Sequence, residues 1–344
     1  MKHCLLCKIN QADKKGSHIV PHFLLKRIEN VDGKKGRDYG LAYSIGAFET
    51  ESHFERAVPL EKLDETYGTL TDEEIIEKSN HPLIVDNFFC SSCEKNLSVL
   101  ESEYSKTLSK KDNKLYSTNI QSEISLLFWM SVIWRMSINE KSGMRLSKGE
   151  NEILRRILAR YLKPEIKNID ISHMRAASDL KKVSYKILRS PDYSEKNFTL
   201  LLFDPRYRNP YSLLIDEYLV FFSFKSNYNQ FNSKEFYSFG KDCSSIPINQ
   251  IGSGNEQIFF LDENTFLNIN NSIINKIRDL RVKHIEEFLN KLHKSLGKKG
   301  LFPNHLKAKI FAEIVSEEKK LGRKYTIDDL KKSTIKVLRN DYGA

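Results

Sequence analysis

The spacing of apolar residues predicts helices in the first half of the chain. Residues 94–180 carry apolar side chains at helical intervals, and residues 123–139 are apolar on nearly every face. Such an all-round apolar helix is typical of the centre of a bundle. Ser147 and Glu150 have the spacing of a capping box, which predicts that another helix begins there and ends before Pro164.

The pattern changes to short β-rich runs from about residue 182 to 262. Turn-forming residues separate these runs, which are Val183–Leu188, Phe198–Phe203, Tyr211–Phe224, Glu235–Phe239 and Ile258–Leu261. They predict an antiparallel sheet in which Tyr218–Phe224 is buried on at least one face. Residues 263–344 return to helical spacing, with Lys and Arg mainly on the faces opposite the apolar stripe.

The composition is that of a folded protein with a substantial core. The chain has 344 residues, of which 40% are hydrophobic and 29% charged. Its most apolar helical run, from Ile124 to Trp134, is much shorter than the roughly 20 residues of a membrane span. The N-terminal residues lack the apolar segment of a secretory signal. These features predict a cytoplasmic protein without a membrane partner.

Charge is spread unevenly along the chain. The net charge of +10 combines about +4 in residues 1–50, −9 in residues 51–104 and +15 in the remainder. A basic body suits a protein that meets phosphate backbones, although Lys-rich solvated helix faces produce similar totals. Trp134 and Arg135 are interpreted as the end of a core helix that emerges into solvent, in preference to a nucleic-acid-binding pair.

Four of the five cysteines form two Cys-x-x-Cys pairs, Cys4 with Cys7 and Cys90 with Cys93. In a reducing compartment this spacing favours a metal over disulfides, because each turn presents two thiolates to one tetrahedral zinc ion. The wide separation of the pairs predicts an insertion at about residues 30–80. His3 is an alternative ligand, and Cys243 is predicted to be an unrelated thiol.

The residues around the cysteines resemble a known family. The segment Ser17-His18-Ile-Val-Pro21 follows the first pair, Asn87 precedes the second, and Glu94 follows it directly. Over residues 1–105 this order is similar to that of the HNH nucleases, the ββα-metal family, in their zinc-stapled form. The resemblance implies a structural Zn²⁺ and a separate catalytic Mg²⁺ or Mn²⁺.

The resemblance also implies roles for individual residues. His18 matches the general base that activates water, and Asn87 matches the residue that orients this base. Glu94 stands where the family has a His or Asn metal ligand, and a carboxylate there is a good ligand for Mg²⁺ or Mn²⁺. Ser17 stands where the family usually has an Asp ligand, which is a departure at the catalytic metal site.

Together these features predict an α+β fold with four regions. They are a zinc-stapled ββα-metal or treble-clef module at 1–105, a helical region at 106–181, an antiparallel β-rich region at 182–262 and basic helices at 263–344. The predicted function is that of a metal-dependent HNH-type endonuclease that hydrolyses nucleic acid, with DNA favoured over RNA. Enzymes of this kind are often bacterial antiphage defence effectors with a companion ATPase or another protein subunit.

Two non-catalytic alternatives remain open at this point. In one, the zinc module and the basic helices bind nucleic acid or a partner without cutting it. In the other, the chain is an assembly subunit whose basic surface meets an acidic protein.

Overall fold

The computed structural model describes most of the chain. The described residues are 2–25, 41–45, 50–54, 61, 70–78, 83–107, 115–142, 144–191, 193, 201–203, 210–224, 246–295, 297–320 and 327–342. The chain divides into two compact units: Met1–Arg37 with Pro82–Asn271, and Asp38–His81 with Ser272–Ala344. The predicted strand Glu235–Phe239 and Cys243 lie outside the described residues.

Helices and strands alternate along the chain in a mixed α+β order. The helices are α1 (His22–Leu25), α2 (Asp72–Lys78), α3 (Ser91–Ser105), α4 (Ser122–Ile138), α5 (Lys148–Tyr161), α6 (Ile171–Ala176), α7 (Glu263–Ser295), α8 (Asn304–Lys320) and α9 (Ile327–Tyr342). The strands are β1 (Ser17–His18), β2 (Leu41–Ile45), β3 (Thr50–Phe54), β4 (Ile84–Val85), β5 (Leu115–Gln121), β6 (Ser184–Arg189), β7 (Leu201–Phe203), β8 (Tyr211–Ile215), β9 (Tyr218–Ser223), β10 (Asn249–Gln250) and β11 (Asn255–Phe260). Short 3-10 turns lie at Glu140–Ser142, Ile166–Asn168 and Leu180–Lys182.

Helix α4 is the central helix of the first unit, as its all-round apolar sequence predicts. All its residues except Ile138 are buried. It packs against α3 and α5 and against strands β5, β10 and β11 of the sheet. Burial on every side explains why the apolar residues of this segment follow no single helical face.

The large sheet has the strand order β5-β11-β6-β9-β8-β7, and β10 pairs with β6 at its end. Most neighbours are antiparallel, but β11 runs parallel to β6. The prediction of an antiparallel sheet is therefore wrong at this pair, and the sheet is mixed. Strands β6, β8 and β9 are buried along their whole length, so both faces of the predicted strand Tyr218–Phe224 are covered over Tyr218–Ser223.

Strand β5 corrects the helical prediction for residues 106–181. Residues 115–121 form an edge strand that pairs antiparallel with β11, and α4 begins directly afterwards at Ser122. Pairing with a strand that lies more than 130 positions later determines this conformation. The helical spacing of the residues on either side did not predict this strand. Strand formation depends on a partner strand and on burial as much as on the local pattern.

A buried carboxylate joins the helices to the sheet. Glu256 of β11 is fully buried and accepts hydrogen bonds from Tyr104 of α3 (3.0 Å) and Tyr185 of β6 (2.5 Å). Trp129 of α4 donates its indole N–H to the same carboxylate at 3.1 Å. Burial raises the pKa of Glu256 to about 7, and the three donors oppose this shift because they favour the ionised form.

The second unit has a small core of its own. Its residues come from the C-terminal half of α7, from the connection to α8, and from α8 and α9; they include Ile285, Leu289, Phe302, Leu306, Ile310, Ile314, Leu330 and Val337. Helices α8 and α9 pack on each other. In the same unit, β2 and β3 pair antiparallel with Leu41 opposite Phe54.

The predicted capping box at the start of α5 is confirmed. The Ser147 hydroxyl accepts from the Glu150 N–H, and the Glu150 carboxylate accepts from the Ser147 N–H. Among the described helices, none combines the length and the apolar character that crossing a membrane requires.

Replacing Ser147 with alanine is expected to reduce the free energy of unfolding by about 1 kcal/mol, because a helix N–H loses its acceptor. Urea unfolding followed by circular dichroism measures this change. Lys148→Ala is the matched control, since Lys148 is exposed and is not the capping residue. Equal stabilities for the two variants would contradict a contribution from the cap.

Candidate metal centre and adjoining cavity

The four cysteines of the two Cys-x-x-Cys pairs meet in one cluster. Their sulfur atoms all lie within 4.8 Å of one another, and the sulfurs of Cys7 and Cys90 are 4.0 Å apart. Tetrahedral zinc with Zn–S bonds of about 2.3 Å places its sulfur ligands about 3.8 Å apart. The cluster therefore fits a metal ion such as zinc. Among the described residues, His3 does not belong to this group.

Local backbone structure aims each pair inward. Cys4 and Cys7 lie on a turn that ends at Lys8, whose φ of 62° is left-handed and whose N–H donates to the Cys4 carbonyl at 2.9 Å. Cys90 is the N-cap of α3 and Cys93 lies in its first turn. Asn10 donates to the Cys7 sulfur from its backbone and to the Cys90 sulfur from its side chain. The positive end of a helix and N–H donors both favour thiolates.

The sulfurs of Cys4 and Cys93 shift each other's pKa in opposite directions. A hydrogen bond from the Cys93 thiol, helped by nearby backbone N–H groups, lowers the pKa of Cys4 to about 4 despite its burial. The same hydrogen bond and burial raise the pKa of Cys93. A cation held by all four sulfurs would displace their protons and stabilise the thiolates.

The segments that carry the two pairs are joined by backbone contacts. Strands β1 and β4 pair antiparallel, with Ser17 opposite Val85 and His18 opposite Ile84. The Gly16 N–H donates to the Asp86 carboxylate at 2.7 Å. The Asp13 carboxylate accepts from the backbone and hydroxyl of Ser91 at the start of α3, and this lowers the pKa of Asp13.

A cavity of about 440 Å³ lies beside this junction. Its wall is formed by Lys14, Gly16, His18, Ser91, Glu94, Lys95, Leu97, Ser98, Glu101 and Arg135. The structure therefore brings His18 and Glu94, which are 76 positions apart, to one cavity. Asn87 is not part of this wall. It is exposed, has a left-handed φ of 57°, and donates its backbone N–H to the Lys14 carbonyl.

Glu94 is a half-buried carboxylate with one oxygen that makes no hydrogen bond. Its Oε2 atom is buried, as is the hydroxyl of Ser17 (1% exposed), and neither atom has a hydrogen-bond partner. Burial raises the pKa of Glu94, while the charge of Arg135 and the proximity of the Ser17 hydroxyl lower it. Buried oxygens without a hydrogen bond are uncommon in folded proteins.

Arg135 does not emerge into solvent, so that interpretation of the sequence is wrong. Its side chain is 2% exposed, and Trp134 beside it is also buried and donates to the Asn151 side chain. The Arg135 guanidinium donates to the His18 carbonyl at 3.0 Å and pairs with Glu101 at 2.6 Å. The sequence contained a sign of this ion pair. Arg135 belongs to a helix that is apolar on nearly every face, and a buried cation requires an acidic partner.

A second arginine anchors the turn that carries the first pair. Arg155 of α5 donates to the Leu6 carbonyl at 2.8 Å and pairs with Glu152. Helices α4 and α5 thus each reach a main-chain carbonyl of the N-terminal segment through an arginine. The metal cluster and the helical core are therefore continuous, and residues 1–105 do not form the site alone.

The cavity offers fewer metal ligands than the cysteine cluster. Among the described residues, the cysteines are the one group of three or more closely placed His, Cys, Asp or Glu ligands. The wall of the cavity has two carboxylates, Glu94 and Glu101, and one histidine, His18.

Comparison of the chain with protein-family models, with curated proteins and with solved structures finds no match. The geometry is therefore the basis on which the site is interpreted. It shows four cysteines close enough to hold a metal ion such as zinc, within a mixed α+β fold. Beside them lies a cavity that contains a histidine, two carboxylates and three cationic side chains.

Proposed function

We propose that the chain is a metal-dependent endonuclease of the HNH type, which hydrolyses phosphodiester bonds of nucleic acid. The observation that carries this proposal is the placement of His18 and Glu94 in one cavity beside a zinc-competent cysteine cluster. The order of β1, β4 and α3, with a cysteine pair before the first strand and at the start of the helix, supports a ββα-metal or treble-clef arrangement.

The charges around the cavity suit a phosphodiester substrate. Lys14 and Lys95 are exposed at its wall and provide cations for the phosphates on either side of the bond that is cut. Glu94 and Glu101 supply negative charge beside them. Cationic side chains alone would bind phosphate but would not hold a divalent ion. The presence of both lysines and glutamates at the wall supports binding of both groups.

In the proposed reaction, His18 accepts the proton of the attacking water while the water oxygen bonds to phosphorus; the bond from phosphorus to the leaving sugar oxygen breaks, and that oxygen takes a proton from solvent. Glu94 would hold Mg²⁺ or Mn²⁺, and the ion would supply positive charge for the phosphate oxygens. Lys14 and Lys95 orient the substrate backbone. Zn²⁺ at the four cysteines has a structural role, since its closed ligand set leaves no position for water.

The biological setting is part of the proposal. DNA is the proposed substrate in preference to RNA, and the proposed role is a cytoplasmic antiphage effector that acts with a companion ATPase or another subunit. Asn87 is proposed to hold the loop before the second cysteine pair, because its left-handed backbone shapes the turn between β4 and α3.

Replacing His18 with alanine is expected to reduce Mn²⁺-dependent cleavage of supercoiled plasmid by 10²-fold or more, because the proton of the attacking water loses its acceptor. Gel quantification of nicked and linear plasmid measures the rate. His305→Ala is the matched control, since His305 is an exposed histidine of α8. Zinc content is measured for both variants to show that the cysteine cluster is retained.

Equal cleavage by wild type and His18→Ala, or no cleavage of DNA and RNA by either, would overturn the nuclease proposal. The non-catalytic alternative then follows, and Ser17 in place of an acidic ligand is the observation that favours it. Retention of labelled DNA with a steep dependence on salt would indicate a nucleic-acid-binding module. Salt-independent behaviour would favour a protein partner.

A further inference from the structure

We propose that Arg135 is a positioning residue that holds the His18 strand against α3 and so sets the separation of His18 and Glu94. This inference rests on the proposed function and extends it to a residue outside the predicted N-terminal module. Arg135 belongs to α4, the central helix of the first unit, and its guanidinium lines the cavity.

The guanidinium bridges two elements through one nitrogen. Its Nη1 atom donates to the His18 carbonyl of β1 at 3.0 Å and lies 2.6 Å from Oε1 of Glu101 in α3. The other nitrogens are held by their own helix, with Nε bonded to the Ser131 carbonyl at 3.2 Å and Nη2 to its hydroxyl at 3.4 Å. The bridge is therefore rigid from the α4 side.

The contact on α3 is made on the same face as Glu94. Glu94 and Glu101 are seven residues apart, which is about two helical turns, so both side chains point to one side of α3. The ion pair with Glu101 therefore fixes the face that presents Glu94. A shift of Arg135 changes the relation of this face to His18.

Strand β1 requires such an anchor. It is two residues long and pairs with the two residues of β4, so few backbone hydrogen bonds hold it. His18 is its last residue, and its carbonyl is the group that Arg135 binds. Loss of this bond removes one of the contacts that position the histidine on this short strand, and a misplacement of about 1 Å can reduce a rate by 10²-fold.

Arginine is suited to this role and lysine is not. The planar guanidinium presents several N–H donors at fixed angles and remains charged when buried. A lysine retains the charge that pairs with Glu101, but it lacks the Nε and Nη2 donors that bond Ser131 and fix the direction of the charged group. A comparison of Arg135→Lys with Arg135→Gln therefore separates charge from positioning.

The test uses the full zinc-loaded chain with two measurements. The first is plasmid cleavage with Mn²⁺, from which kcat and KM are obtained. The second is independent of activity: Mn²⁺ broadens the NMR signal of the labelled His18 ring in proportion to the inverse sixth power of their distance. Glu94→Gln, which removes the proposed ligand, identifies the broadening that comes from the cavity.

Arg135→Gln is expected to reduce kcat about 100-fold with KM changed less than about threefold, and to change the broadening of His18. Compared with Arg135→Gln, Arg135→Lys is expected to recover the thermal stability of wild type. It should recover less than a tenth of the kcat that Arg135→Gln loses. Arg175→Gln is the matched control, since Arg175 pairs with Glu123 at the start of the same helix at 2.7 Å and does not line the cavity. It should leave kcat and broadening unchanged.

The outcomes distinguish the two proposals. In one outcome, wild type cleaves plasmid and shows the broadening of His18, and Arg135→Gln behaves in the same way. This result would overturn the positioning role and leave the nuclease proposal intact. Full wild-type kcat in Arg135→Lys would show that the charge of residue 135 is sufficient. That result would also overturn the positioning role. If the wild-type protein does not cleave plasmid and its His18 signal shows no Mn²⁺ broadening that depends on Glu94, the nuclease proposal is overturned. The positioning role is then overturned as well.

Discussion

Replacing Cys4 with serine is expected to abolish stoichiometric zinc binding and to destabilise the first unit by several kcal/mol. Four thiolates around one ion contribute folding free energy directly, and losing one ligand leaves three sulfurs, those of the buried Cys90 and Cys93 and the partly exposed Cys7, without a stable tetrahedral site. Cys4 is 0% exposed, so the serine hydroxyl also enters a buried position. Elemental analysis measures the zinc, and thermal denaturation measures the stability.

Cys243→Ser is the matched control, because Cys243 is the cysteine outside the two pairs. It should retain one zinc ion per chain. Treatment of wild type with a strong chelator should reproduce the effect of Cys4→Ser. Zinc-free protein that melts at the wild-type temperature would show that the cluster is not a structural metal site.

Replacing Glu256 with alanine is expected to reduce the free energy of unfolding by about 3 kcal/mol or more. The substitution leaves the hydroxyls of Tyr104 and Tyr185 and the indole N–H of Trp129 without their common acceptor, and each buried unpaired group costs about 1–3 kcal/mol. It also opens a cavity between α3, α4 and the sheet. Urea unfolding monitored by tryptophan fluorescence measures the loss.

The same carboxylate is expected to make stability depend on pH. Its folded-state pKa of about 7 lies above the ordinary 4.5, so the folded state holds the proton more tightly than the unfolded state. The stabilisation is fully present below pH 4.5 and is lost as pH rises through 7, with a total of about 3 kcal/mol. Glu256→Gln should remove this dependence, so the wild-type and variant curves should diverge between pH 4.5 and 7.

Glu152→Gln is a suitable comparison, because the hydrogen bond from Arg155 holds the pKa of the exposed Glu152 below its ordinary value of 4.5. The stability that Glu152 contributes is therefore lost below this window, and its replacement should not change the slope of stability with pH there. Parallel wild-type and Glu256→Gln curves would show that the buried carboxylate does not titrate there.

The elements that the sequence predicted are those in which local pattern and tertiary burial agree. Helix α4 follows from apolar residues on every face, and α5 from the capping box at Ser147. Strand β5 did not follow, because its conformation depends on pairing with β11. The parallel neighbour of β6 was also missed, since strand direction depends on chain connections that a periodic pattern does not contain.

Within the candidate site, residue chemistry was predictable and arrangement was not. The Cys-x-x-Cys pairs predicted a metal cluster because each motif aims two sulfurs to one side of a single turn. His18 and Glu94 were predicted from a resemblance, and their common cavity is a property of the fold. Glu101 was not singled out, although its seven-residue spacing from Glu94 places both on one helical face.

The sequence by itself determined the two Cys-x-x-Cys pairs, the central helix and the cap of the next helix, because each depends on residues close to one another in the chain. The tertiary structure alone decided that the four sulfurs converge, that His18 faces the cavity of Glu94, and that Arg135 is buried between them. These relations join segments from 34 to 117 positions apart. Packing of the whole core determines such distances, since no local preference acts over them.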